Sequence, residues 1–357
     1  MLTIDQPDVM PLDEAINLPR LSLYLKSKIT ELSDVSGEIE VFRYNSGHAN
    51  LTYMIRLGDQ EFVLKREPPG TKAKSAHDMS REFHMLSKLY PWYSFAPKPF
   101  LYSDDASIIG GAFCVMEKRK GVIIRSRYPE DADIGPHQIG QQFKALIESL
   151  AELHKLNITA AGLGDFGRPE GYRQRQVVGW QQRLRNAATP DMADFNVVTS
   201  WLTEHLPKEV QAATVVHNDF KLDNLVWDPA DISRLVGVLD WEMSTVGDPL
   251  MDLACTLSFW VEEGDPHEFR SIRAMPSARP GVLSRREAAA CYTERTGRSV
   301  DFLDFLLCFG FFRRAVIEQQ KYYRFSTGQT KDARFSDLNH AVTVLRDMCL
   351  SVMGGKL

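Results

Sequence analysis

Between His217 and Asp252 the chain carries eight carboxylates beside short apolar runs: Asp219, Asp223, Asp228, Asp231, Asp240, Glu242, Asp248 and Asp252. Asp228 and Asp231 read as solvated loop acids, while Asp223, Asp248 and Asp252 stay open between helix caps and chemistry. Spacing singles out three polar positions. Asp219 and Asn224 stand five positions apart, so one loop can aim both into a single cavity, and Asp240 ends a neighbouring β-like run after a hairpin. Two oxygen ligands and one free carboxylate then converge. Oxygen donors with no thiolate nearby suit Mg2+, which proteins usually hold with one or two carboxylates plus substrate phosphates. The chemistry this implies is phosphoryl transfer.

These residues need elements to position them. A helix is expected over Pro19–Leu32, followed by β-like runs at Glu38–Tyr44, Asn50–Leu57 and Glu61–Lys65, the last two joined by the turn Gly58-Asp59-Gln60. Met79, Phe83, Leu86 and Tyr90 recur at helical spacing within Ser75–Tyr90, and Pro91 ends the pattern. Phe100–Ser103 and Ala112–Met116 add a further strand pair across a turn, which completes a small, mostly antiparallel sheet carrying one helix. Beyond Gly121 the patterns turn helical, with Phe143, Leu146, Ile147, Leu150, Leu153 and Leu156 marking a long amphipathic helix and more helices at Tyr172–Arg185 and Val197–His205. Two β-like runs, Thr214–Val216 and Leu235–Leu239, flank the polar string from His217 to Asn224. The tail Arg285–Met353 reads as three helices. At 357 residues, two unequal lobes of an α+β fold are expected rather than one core.

A formal charge of −5 and a pI near 6.0 leave no basic footprint for nucleic acid. No apolar run is long enough to span a bilayer, and Met1–Leu18 lacks the basic start and apolar centre of a signal peptide, so a cytoplasmic protein without a membrane partner is expected. The five cysteines are widely spaced and form no CxxC pair, which argues against structural zinc and a disulfide framework; Cys114 and Cys308 read as buried free thiols. Nothing in the sequence fixes an oligomeric state.

The order His217-x-Asp219, then Asn224, then Asp240-Trp241-Glu242 and Gly247-Asp248-Pro249 resembles the aminoglycoside phosphotransferase and choline kinase superfamily, relatives of protein kinases. The resemblance implies a protein-kinase-like two-lobed fold, with a nucleotide-binding lobe at 1–118 and a catalytic and acceptor-binding lobe at 119–357. It implies ATP, or GTP, as donor, Mg2+ as cofactor and a small-molecule hydroxyl as acceptor. By the same resemblance Asp219 orients or deprotonates the acceptor hydroxyl, Asn224 and Asp240 bind the metal, His217 braces the loop and Lys221 contacts the transferred phosphate. Lys65 matches the third-strand lysine that holds the ATP phosphates, and Glu82 is placed to pair with it. Ser46 and Gly47 fall in the phosphate loop, where Ala49 replaces a serine that relatives often show, and Val115, Met116, Glu117 and Lys118 would form the hinge against a purine edge.

Three segments narrow the resemblance: Ala76-His77-Asp78-Met79, Gly171-Tyr172-Arg173-Gln174-Arg175-Gln176-Val177 and Asp240 to Pro249. They are similar to the kinase-like segment fused to some eukaryotic acyl-CoA dehydrogenases and to its free-standing bacterial relatives, which implies a hydroxyacyl-CoA acceptor. Residues 261–357 carry 15 Lys and Arg against 12 Asp and Glu, whereas 1–260 carry 27 against 35. That mildly basic tail, with Arg313, Arg314, Lys321 and Arg324 as candidates, suits an anionic acceptor better than a polycationic aminoglycoside. The competing readings are an aminoglycoside or other amino-alcohol kinase, a silent nucleotide-binding pseudokinase, and an iron site built from His217, Asp219 and His267 or His340. Against the pseudokinase stands the retention of Lys65, Glu82, Asp219, Asn224 and Asp240.

Overall fold

The computed structural model describes residues 5, 16–44, 51–67, 79–129, 132–208 and 211–356. Helix α1 (Leu18–Lys28) opens where the Asn17 side chain accepts the Arg20 amide at 3.0 Å, with Pro19 in its first turn. It stops at Ile29, whose backbone is extended (φ −109°, ψ 108°), and a separate 3-10 turn covers Thr30–Leu32. The single helix expected over Pro19–Leu32 is therefore two pieces, broken at the β-branched pair Ile29-Thr30.

Strands β1 (Ile39–Arg43), β2 (Leu51–Leu57) and β3 (Gln60–Arg66) precede α2 (Met79–Leu89), then β4 (Pro99–Ser103), the short α3 (Ala106–Ile109) and β5 (Phe113–Glu117). The strands form one antiparallel sheet in the order β1-β2-β3-β5-β4. Helix α3 occupies what the sequence suggests is only a turn: Asp105 caps it, accepting the Ser107 amide at 2.9 Å, and Ile108 and Ile109 are buried beneath it. Alternation gives the sheet two faces. Phe62 and Leu64 of β3 and Phe113 and Val115 of β5 join Leu21 and Leu25 in a core under α1, whereas Val63, Cys114 and Met116 face α2 and the larger core. The same period places Lys65 on the α2 face.

The helical part comprises α4 (Pro136–His154), α5 (Tyr172–Asn186) and α6 (Asn196–Glu204), then β6 (Thr214–Val216), β7 (Leu225–Trp227), β8 (Leu235–Val238) and β9 (Thr245–Gly247). It continues through α7 (Pro249–Ser258), α8 (His267–Ser271), α9 (Arg285–Thr296), α10 (Leu303–Ser326) and α11 (Leu338–Met353). The three tail helices are as the sequence predicts. The strands differ: β6 pairs with β9 and β8 with β7, all antiparallel, so the two β-like runs flanking the polar string lie in separate two-stranded ladders. Strands of three residues are too short to show a period. Helix α7 is also absent from the sequence reading, because all of its residues are buried and it has no polar stripe. Helix α10 crosses α7 so closely that a Cβ on Gly310 would lie 2.2 Å from the Ala254 carbonyl oxygen. Among the described residues no helix is long and apolar enough to cross a membrane.

Candidate active site

Strand β6 runs directly into the loop His217–Asn224. The Asp219 amide donates to His217 Nδ1 at 3.2 Å, so Nδ1 is the unprotonated nitrogen and Nε2–H donates to the Leu239 carbonyl at 2.9 Å. The imidazole, edge-on to Trp241 at 4.7 Å, thereby ties the loop to the residue before Asp240. Asn224 Nδ2 donates to both Asp219 O (2.8 Å) and Asp219 Oδ2 (2.9 Å), which leaves Asn224 Oδ1 as a spare acceptor. Lys221 Nζ lies 3.3 Å from Asp219 Oδ2 and 3.5 Å from Asp223 Oδ2. Burial alone would lower the Lys221 pKa, but the two carboxylates outweigh it and hold the ammonium above its ordinary value.

Across the cleft, Lys65 Nζ donates at 2.8 Å to Glu82 Oε1 and at 2.8 Å to Asp240 Oδ1. Glu82, fully buried on α2, also accepts the Trp241 amide at 3.2 Å, so one carboxylate fixes the lysine and the backbone after Asp240. The carboxylates of Asp240 and Glu82 override desolvation and hold Lys65 well above the usual lysine range. Asp240 itself has φ 65°, a left-handed conformation that Asp and Asn tolerate better than other side chains, and 37% of its side chain remains exposed. Two residues on, burial and the Asp240 charge push the half-buried Glu242 up to about 8.

Asp252 is one of the three acids that sequence reasoning leaves open, and the structure explains it. Fully buried in α7, its Oδ2 accepts the His217 amide at 2.6 Å and its Oδ1 the Asn218 amide at 2.7 Å, while His154 Nε2 sits 3.2 Å from Oδ2 and His154 Nδ1 2.7 Å from the Tyr292 hydroxyl. It holds the loop backbone with Asn218 at φ 66°. The available signal was a lone acid in an otherwise apolar helix, Pro249–Ser258. Burial alone would raise its pKa, but the His154 hydrogen bond and the His217 amide keep it below the ordinary carboxylate value. Its stabilising effect is therefore complete above the ordinary carboxylate pKa and disappears as pH falls through the depressed folded one. Asp252→Asn turns an NH2 group toward one of the two amides, and a loss on the order of 3 kcal/mol is expected. Thermal denaturation measures it, and an unchanged Tm would show that the loop does not depend on this carboxylate.

The remaining acids have structural partners. Asp228 and Asp231 accept the Ala230 amide at 2.8 Å and the Ser233 amide at 3.0 Å within their own loop, as expected of solvated turn acids. Asp248 caps α7 through the Leu250 amide (2.9 Å) and takes the Arg173 guanidinium at 2.6 Å. The next motif residue, Tyr172, packs on Gly247, where a Cβ would meet its ring at 2.6 Å. Gly171-Tyr172-Arg173 and Gly247-Asp248-Pro249 are thus two halves of one packing contact.

The basic tail needs correction as an acceptor surface. Arg314 is buried, donates to Ser258 O (3.2 Å) and Ile272 O (2.6 Å) and lies between the rings of Phe259 and Phe269; burial depresses its guanidinium to about 10. Lys321 pairs with Glu318 at 3.2 Å. Arg313 alone of the four candidates touches the loop, donating to Asn218 O at 2.7 Å. At the hinge position, the Glu117 amide is committed to Lys98 O at 2.8 Å and its side chain accepts the Lys98 amide at 3.0 Å. Ser46 and Gly47, like Ala76, His77 and Asp78, lie outside the described residues. Among the described residues no three His, Cys, Asp or Glu side chains gather as a metal-ligand group, so the iron reading gains no support.

The description "Phosphotransferase enzyme family" (APH) matches residues 40–288. Acyl-CoA dehydrogenase family member 10 of Mus musculus is 33% identical over 93% of this chain, and family member 11 of Gallus gallus 32% identical over 82%. The chain spans 31% and 38% of those relatives' own lengths. A Ralstonia eutropha protein provisionally described as an aminoglycoside phosphotransferase superposes with a TM-score of 0.79 at 25% identity, covering 95% of this chain and 98% of the other. Choline kinase from Cryptosporidium parvum shares the fold, with a TM-score of 0.58 at 11% identity over 96% and 98% of the two chains. A kinase-like fold, the matched segment and these relatives agree, and the chain belongs to the phosphotransferase enzyme family.

Proposed function

We propose that the chain moves the γ-phosphoryl group of ATP to a hydroxyl of an anionic, CoA-linked hydroxy compound. The observation that carries the phosphoryl-transfer part is the meeting of Lys65, Glu82 and Asp240 on one side with Asp219 and Asn224 on the other. Asp219 Oδ2 is occupied by Asn224 and Lys221, and among the described residues no hydrogen bond or ion pair engages its Oδ1, which is the atom that orients the acceptor hydroxyl and receives its proton. The acceptor oxygen bonds to the γ-phosphorus, the bond to the β–γ bridging oxygen breaks, and ADP leaves. Lys65, with Glu82 fixing its position, holds the donor phosphates, and Lys221 faces the group in transit. The oxygens of Asp240 and Asn224 fit Mg2+, a hard cation: one carboxylate is partly exposed and one amide oxygen is spare. Bound there, Mg2+ supplies neutralisation of the phosphate charge.

The acceptor class is supported by relatives whose names are acyl-CoA dehydrogenases and which align with over 80% of this chain. Viomycin phosphotransferase of Streptomyces vinaceus, by contrast, aligns with only 21% of it. If the acceptor is held by its phosphates, raising salt from about 50 to about 300 mM is expected to raise its KM several-fold while kcat stays within about twofold, because screening weakens binding more than in-line chemistry. The free hydroxy acid should lose about a hundredfold or more in kcat/KM, having lost remote binding energy. Steady-state kinetics on both acceptors test this, and a salt-independent KM with equal use of the free acid would overturn the CoA-linked assignment.

A further inference from the structure

Two arginines that the reaction does not use share one aromatic ring, and one of them touches the catalytic loop. Trp180, on α5, is 6% exposed and its indole N–H is satisfied by Gln176 at 3.1 Å. Arg183, one turn further along α5, lies over the ring at 4.5 Å from its centroid, and Arg313 of α10 lies over it at 5.0 Å. Arg313 is buried and reaches the residue before Asp219 through its bond to Asn218 O. Among the described residues neither guanidinium is in an ion pair. Burial and the neighbouring Arg313 depress the Arg183 pKa, with no carboxylate offsetting them.

Two cations near one ring without a counter-charge repel, and Arg313, the buried one of the two, would ordinarily be paired. A bound anion resolves the conflict. We propose that Arg183 and Arg313, both close to the Trp180 ring, form an anion subsite for the acceptor, placing a phosphate or carboxylate oxygen beside the loop that carries Asp219. A guanidinium over a ring can still donate its N–H groups to an oxyanion, and those of Arg313 not bonded to Asn218 O serve here. The subsite excludes polycationic acceptors by repulsion, since the same charges that attract an anion oppose an ammonium. The inference rests on the phosphotransferase reading only for the meaning of the neighbouring loop; the binding it describes needs no turnover.

Calorimetry on the whole chain tests it with three probes: CoA, inorganic pyrophosphate and hydroxybutyrate. The variant is Arg183→Gln, chosen because Arg183 is exposed at the rim and makes no hydrogen bond the fold requires, with Arg183→Lys as the charge-retaining control. CoA affinity should fall about tenfold in Arg183→Gln and recover in part in Arg183→Lys, while Mg-ATP affinity stays within about twofold. Arg183 dependence shared by CoA and pyrophosphate identifies a phosphate as the anion; dependence confined to hydroxybutyrate identifies a carboxylate. Equal binding of all three probes by wild type and Arg183→Gln, or no binding of any, overturns the subsite. A protein that binds CoA through Arg183 but phosphorylates no hydroxyacyl-CoA keeps the subsite and sinks the proposed reaction instead.

Discussion

Asp219→Ala is expected to lower kcat by about three orders of magnitude while Mg-nucleotide affinity stays within about twofold, since a positioned base is worth roughly 10²- to 10⁴-fold. The separation follows from the geometry. Asp219 is held from behind by Asn224 Nδ2 and Lys221, and its contacts lie within the loop rather than with Lys65 or Glu82. Removing the carboxylate leaves the Lys65 cluster intact. Calorimetric titration of Mg-ATP beside single-turnover kinetics checks both halves, and an equal loss of binding and rate would move Asp219 into the nucleotide site.

Asp240→Asn should behave differently, with Mg-ATP affinity falling at least about tenfold and kcat at least about a hundredfold, because the carboxylate that pairs with Lys65 is also the metal ligand in the proposed reaction. Asparagine is the cleaner variant. The backbone at 240 sits at φ 65°, where alanine would add a penalty of about 1 to 2 kcal/mol unconnected with the metal. Asparagine tolerates that conformation and keeps one oxygen, so any loss reports the charge. Wild-type Mg-ATP affinity in Asp240→Asn would contradict the metal assignment.

The sequence made the small sheet, its helix and the polar loop legible because each is written in a pattern of adequate length. Strand alternation in β2 and β3 and the helical spacing of α2 mark these elements, and the kinase resemblance pairs Lys65 with Glu82, which the structure joins at 2.8 Å. Strands β6 and β8 were legible as apolar runs, but their partners β9 and β7 were not, since three-residue strands carry almost no period. Asp252 stayed ambiguous because its partners are backbone amides 34 and 35 positions away, which no local spacing encodes. The basic tail misled in a different way: counting charges treats Arg313 and Arg314 alike, yet adjacent side chains on a helix point in different directions. One meets the loop and the other is sealed between Phe259 and Phe269. The Gly171–Val177 motif helps mark the dehydrogenase-fused branch, and its Tyr172 and Arg173 brace the start of α7.

The most direct test is a competition in one vessel: γ-labelled ATP and Mg2+ with equal concentrations of a hydroxyacyl-CoA, its free hydroxy acid, choline and an aminoglycoside, followed by mass analysis of every product. The proposed reaction predicts label on the hydroxyl of the hydroxyacyl-CoA, abolished in Asp219→Ala and diminished by high salt. Label on the aminoglycoside or choline with none on the acyl-CoA, or label released only as inorganic phosphate, would contradict it.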